Sequence, residues 1–99
     1  MTPTPFAQFL REDMRLVLLR LLEEMPGYRA NSSVLTSALD QFGYSASRDQ
    51  VKTELVWLQD QGALTLAEAG PVMVATLTER GQDVATGRAT MPGVKRPRA

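Results

Sequence analysis

Four polar residues at the start of one helical stretch carry the recognition chemistry legible in this chain: Arg48, Gln50, Lys52 and Thr53. An arginine can fork onto O6 and N7 of guanine and a glutamine onto N6 and N7 of adenine, while lysine and threonine suit phosphate oxygens or base edges. Just upstream, Ser45 and Ser47 could donate to a phosphate at a helix N-terminus. A second cationic cluster, Lys95, Arg96 and Arg98, could hold phosphates without reading sequence. A solvated helix face and a solubilising chain end have the same composition, so both readings stay open at each place. Asp49, Glu54 and Asp60 lie on the same helix as Arg48 and dilute its positive field.

Catalysis finds no comparable support. The chain has no cysteine and no histidine. That removes thiolate nucleophiles, Ser–His and Cys–His pairs, the usual general base and the commonest transition-metal ligand. Glu23 and Glu24 are adjacent on a helix and diverge around it instead of facing one another. Gly81 and Gly87 are not spaced as a phosphate loop. The expectation is a non-enzymatic binding protein with no cofactor, no metal and no identifiable small-molecule effector.

Eleven basic and eleven acidic side chains cancel over 99 residues. A nucleic-acid binder usually carries a positive surplus, so this balance weighs against strong nonspecific DNA affinity. The length suits one domain with a modest core. Near the N-terminus the longest apolar run, Leu16 to Leu22, contains Arg20 and follows Glu12 and Asp13. It is too short for a membrane span and lacks the basic flank of a signal peptide. The expected location is the cytoplasm of a bacterial host, with no membrane partner.

The elements that must position these residues can be read from spacing. Leu10, Met14, Val17, Leu18, Leu21 and Met25 predict a helix over 6–25 with that stripe toward the core. Leu16, Leu19 and Leu22 form a second stripe that needs its own cover. A terminal segment of the same chain could supply it; so could a second copy, which makes Leu16, Leu19 and Leu22 the candidate homodimer interface. Pro26-Gly27 ends the helix, and Asn31-Ser32-Ser33 offers caps for a second one with Leu35, Ala38, Leu39 and Phe42 on one face. Gly43 stops it.

Ser47-Arg48-Asp49-Gln50 fits a capping box for a third helix, whose buried face is Val51, Leu55 and Leu58. Only Tyr44 to Ala46 separates it from the second helix, a helix-turn-helix spacing. Trp57 is expected to pack against a neighbouring helix and not to stack a base. Two strands, 63–68 and 72–77, turn at Ala69-Gly70-Pro71, and Thr78 caps a short last helix to Thr86. The hairpin tip, Glu68-Ala69-Gly70-Pro71, is acidic where a DNA-gripping wing normally carries Arg or Lys.

The run Leu55 to Leu64, with Leu77-Thr78-Glu79-Arg80-Gly81 after it, resembles bacterial winged-helix regulators of the MarR, PadR and ArsR type. Across almost the whole chain, Arg11 to Leu16, Pro26-Gly27-Tyr28, Asn31 to Leu35, Ser47-Arg48-Asp49 and Pro92 to Pro97 look like a family of small proteins of Mu-like phages and prophages. The resemblance implies a phage-derived winged helix and raises the expectation of a dimer; fold analogy alone does not assign function.

The resulting expectation is a mainly α winged helix-turn-helix with a small β-hairpin: three-helix core, two-stranded wing and short C-terminal helix. It comprises a lead-in over 1–5, the domain over 6–86 and a flexible basic tail over 87–99. Its expected function is sequence-specific binding of double-stranded DNA as a homodimeric phage or prophage regulator. The alternative is a winged-helix protein-interaction module, an assembly or packaging adaptor that does not bind DNA. The surface discriminates the two. A continuous positive face through Arg48, Lys52 and the tail favours DNA, whereas interleaved acids beside an exposed apolar patch favour a protein partner.

Overall fold

The structure, a computed structural model, describes residues 4–97. Arg98 and most of the expected lead-in, residues 1–3, lie outside the described residues.

Helix α1 spans Pro5–Glu24. Thr4 caps it, with Oγ1 accepting from the Ala7 amide at 3.1 Å, and Pro5 sits at the first helical position, where a missing N–H is harmless. Met25 turns extended ahead of Pro26, which disfavours helical backbone before it. A single 3₁₀ turn, Pro26–Tyr28, leads into strand β1, Arg29–Asn31. Asn31 ends the strand and also caps helix α2, Ser32–Gln41, through Oδ1 accepting from the Val34 amide at 2.8 Å.

Helix α3, Arg48–Asp60, begins with the full capping box. The Gln50 amide donates to Ser47 Oγ at 3.1 Å, and the Ser47 amide donates to Gln50 Oε1 at 2.9 Å. Strands β2, Leu64–Ala69, and β3, Val72–Leu77, form the hairpin, and helix α4, Glu79–Thr86, closes the order. Thr78 Oγ1 accepts from the Gly81 amide and donates to the Gly62 carbonyl at 2.6 Å, tying α4 to the end of α3. Gly81 lets that turn lie on β2, because a Cβ there would run into the Ala63 carbonyl oxygen.

The sheet is antiparallel, ordered β1-β3-β2, with Ala30 opposite Ala75 and Leu66 opposite Ala75 on the other side. It therefore has three strands, not the two expected. The added strand is too short to show an alternating pattern; it forms because the hairpin leaves an edge of β3 free to pair. The architecture is mainly α, with four helices and one three-stranded antiparallel sheet.

The core joins Leu18, Leu19 and Leu22 of α1, Leu35 and Leu39 of α2, Val51, Leu55 and Leu58 of α3, and Leu64 and Ala75 of the sheet. Both stripes of α1 therefore enter the core, with Leu18 and Leu21 of the expected stripe buried beside the second one. Leu16, Leu19 and Leu22 are 4%, 0% and 0% exposed, so they are core and not a free dimer face. Leu10, placed in the core stripe from sequence, is instead 38% exposed. The centre of α1 is apolar nearly all round, so periodicity alone could not say which side α2, α4 and the sheet would cover.

The expected flexible tail is also corrected, up to residue 97. After α4 the chain reverses at Gly87, whose φ of 84° suits glycine, and the amides of Arg88 and Ala89 both donate to the Asp83 carbonyl. Met91 and Val94 are then buried among the core residues. Composition signalled a loose basic end, but two apolar side chains suffice to dock it.

Candidate functional site

With 3.6 residues per turn, the buried positions Val51, Glu54, Leu55 and Leu58 define the inner side of α3. The row opposite them is Asp49, Thr53, Val56 and Asp60, all exposed. The centre of the surface that would meet DNA thus carries two carboxylates and no cation. Arg48 and Lys52 stand to one side of this row. Lys52 Nζ donates to the Pro71 carbonyl at the hairpin turn, 3.0 Å away, and Arg48 Nη2 lies 3.4 Å from Ser33 Oγ.

The structure brings only part of the expected recognition set together. Arg48 and Lys52 share a flank, and Ser33, not anticipated from sequence, joins them from the start of α2. Gln50 and Ser47 spend their side chains on each other's amides, capping the helix. Thr53 Oγ1 donates to the Asp49 carbonyl at 2.9 Å. Ser45 is exposed at the mouth of a groove described below. Lys95 is elsewhere: its Nζ pairs with Asp13 at 3.4 Å and sits 4.8 Å from the Phe9 ring centre. Arg96 is exposed on that same segment. Trp57, against which the segment packs, is about 140° around α3 from Lys52. No continuous positive face joins Arg48, Lys52 and the C-terminal segment among the described residues.

The best-held charges of the molecule lie on the inner side of α3. Glu54 receives Arg15 Nε at 2.7 Å on one oxygen and Arg11 Nε at 3.2 Å on the other. Arg15 also donates from Nη1 to the Gly93 carbonyl at 2.9 Å, and its guanidinium lies 3.8 Å from the centre of the Trp57 ring. The backbone follows: the Lys95 amide donates to the Glu12 carbonyl at 3.2 Å. This clasp satisfies a buried charge and fastens the C-terminal segment at one point. Arg11 and Arg15, one turn apart, were the only hint of it in the sequence, and they look like an ordinary solvated face.

The open apolar surface is on α1. Phe6, Phe9 and Leu10 are exposed on its first turns, and Phe42, 62% exposed, stands beside it after α2. Between Leu10 and Phe42 runs an open groove of ≈ 800 Å³ lined by Ala7, Met14, Val17 and Tyr44, with Arg11, Asp13 and Gln50 as its polar lining. A second recess continues past Phe42 along Val17, Arg20, Leu21 and Glu24. Among the described residues there is no cluster of carboxylates that could hold a metal ion, and no helix is long and apolar enough to cross a membrane.

No protein-family model matches the sequence. The chain is similar to gp26 of Escherichia phage Mu, 48% identical over 89 residues, which cover 90% of this chain and 92% of gp26. It is also 45% identical over 76 residues to a protein of Haemophilus influenzae (strain KW20 / Rd), covering 76% of this chain and 74% of that protein. Both relatives are uncharacterized.

Proposed function

This chain belongs to the family of phage Mu gp26, and from that premise we propose that it is a winged-helix protein-interaction module of a Mu-like phage, serving as an adaptor and not as a DNA reader. The winged-helix reading is supported by the order helix, strand, two helices, hairpin, helix, with β1 pairing beside β3 and the short connector 42–47 between α2 and α3. The interaction reading rests on one observation. Exposed Leu10 and Phe42 line one apolar groove on α1, with Phe6 and Phe9 exposed on the first turns of the same helix, while the outward row of α3 is acidic at Asp49 and Asp60. Phosphate-binding surfaces are the reverse: cationic at the recognition helix, with apolar side chains inside.

A specific observation keeps duplex DNA as the second reading. The approach of Arg48 to Ser33 brings the N-terminal ends of α2 and α3 together, and their peptide dipoles add to Arg48 and Lys52. On that reading a homodimeric regulator would set two recognition helices about 34–36 Å apart on a pseudo-palindrome. With two cations per copy, the slope of log K against log salt would be only about −1.8 for each.

Selection of sheared host and phage DNA on the purified protein at physiological salt separates the readings. The expected outcome is no enriched sequence and no retention. Enrichment of one short pseudo-palindrome would overturn the adaptor reading in favour of the regulator.

A further inference from the structure

The apolar residues on the outer edge of α1 are spaced for a helix partner: Ala7, Leu10, Met14 and Val17 are exposed or half-buried, and Leu21 joins them from the rim of the core. Ala7, Leu10, Met14, Val17 and Leu21 follow one another at intervals of 3, 4, 3 and 4, the seam of a two-stranded coiled coil. The same residues, with Phe42, line the groove and the recess that together run along α1. A seam of this period is matched by another helix bearing the same period, and α1 itself is the helix on the page that has one.

We propose that a second copy of this chain occupies this face, its α1 running antiparallel to the first about a two-fold axis near Val17. This assignment names the partner for the interaction surface proposed above and rests on that reading. Charge complementarity sets the direction. Asp13, which also pairs with Lys95 of its own chain, and exposed Arg20 flank the seam on one side, equidistant from an axis level with the midpoint of Leu16 and Val17. In the antiparallel pair each Asp13 meets the partner's Arg20, twice by symmetry, whereas in a parallel pair the two flanks lie on opposite sides of the seam and Asp13 has no Arg20 to meet. The same superposition brings Glu24 to the partner's Phe9, where the partner's Lys95 stands. At 20 residues α1 is about 30 Å long. An interface of one helix face and Phe42 falls near or below the roughly 800 Å² per partner of a standard specific interface. The dimer is therefore expected to be in concentration-dependent equilibrium with the monomer.

The chain has no cysteine, so single introduced thiols report without background. V17C, next to the axis, should cross-link to itself on mild oxidation. L10C should not, because the two Leu10 positions lie about 20 Å apart in the antiparallel pair, far beyond the roughly 7 Å between α-carbons that a disulfide spans. Sedimentation of the full chain should give a monomer–dimer equilibrium. R20D should weaken it about tenfold, and mixing R20D with D13R should restore it as a heterodimer. Self-cross-linking of L10C with none at V17C would overturn the antiparallel assignment. A monomer at every concentration would overturn the second copy itself, leaving the adaptor reading to stand or fall on the DNA selection.

Discussion

The two sides of α3 differ in what their charges do. On the inner side, buried Glu54 and Arg15 form a clasp, joined by Arg11 from the surface, that reaches Gly93 and Trp57. On the outer side, Asp49 and Asp60 stand exposed, with Arg48 and Lys52 displaced to one flank. Geometric precision in polar groups has gone into joining α1, α3 and the C-terminal segment, not into a surface for phosphates. A third helix that follows a short connector is not by that spacing alone a recognition helix; its outer row must be read for itself.

Glu54→Ala should have the largest effect on the inner side. It strands Arg15, only 4% exposed, without its carboxylate, and removing one partner of a buried pair typically costs about 3–5 kcal/mol. Urea denaturation should register that loss. The double variant Glu54→Leu, Arg15→Met should lose much less, since both charges leave together. Asp49→Ala and Asp60→Ala on the outer side should each stay within about 0.5 kcal/mol of the parent. If the outer substitutions were as damaging as the inner one, the division of labour across α3 would be wrong.

A smaller effect isolates what the clasp holds. Gly93 has a φ of +92°, and a Cβ there would come within 2.6 Å of the Trp57 ring. Gly93→Ala should lift residues 91–97 from the body while α1 to α4 stay folded. Hydrogen exchange reads this directly: the Val94 amide, bonded to the Met91 carbonyl, and the Lys95 amide, bonded to the Glu12 carbonyl, should lose protection. Unchanged protection at both would mean that burial of Met91 and Val94 holds the segment without the glycine's close approach.

Local signals were legible in the sequence because local chemistry decides them. The Ser47–Gln50 box, the Asn31 cap, the turn around Gly70 and the Thr78 cap each involve residues three or four apart, and each forms as read. Features that depend on long-range partners were not. Strand β1 exists only because β3 offers an edge, and its three residues carry no period of their own. Both stripes of α1 are buried in its second half, where the expected stripe holds at Leu18 and Leu21, because α2, α4 and the sheet cover more of the helix than one stripe. Arg15 and Glu54 are 39 residues apart in the chain, and nothing local marks either as buried. Among the recognition candidates, Ser47 and Gln50 close the capping box already read at the helix start, whereas the pairing of Lys95 with Asp13 is long-range and carries no local mark.

Ser47→Ala tests the next level down. It removes the oxygen that accepts from the Gln50 amide at the start of α3, and loss of such a cap typically costs about 1 kcal/mol. Thermal unfolding should show that drop, between the large effect at Glu54 and the small ones at the outer row. A neutral result would mean that packing of Val51 and Leu55 alone sets where α3 begins.

The smallest expected effect is at Arg48, and it bears most directly on function. Its guanidinium makes one long contact with Ser33 Oγ, at 3.4 Å, on an exposed surface. Arg48→Ala should therefore change stability by no more than about 0.5 kcal/mol. Because its backbone position is fixed by the Ser47 cap, the substitution leaves α3 in place and removes only the forked cation. On the adaptor reading, retention of DNA is absent before and after the change. On the regulator reading, the loss is about 1–3 kcal/mol of binding with relaxed preference at one base. A gel-shift titration of the parent and the variant against any DNA enriched by selection would give the outer side of α3 the role that its acidic row argues against, or withhold it.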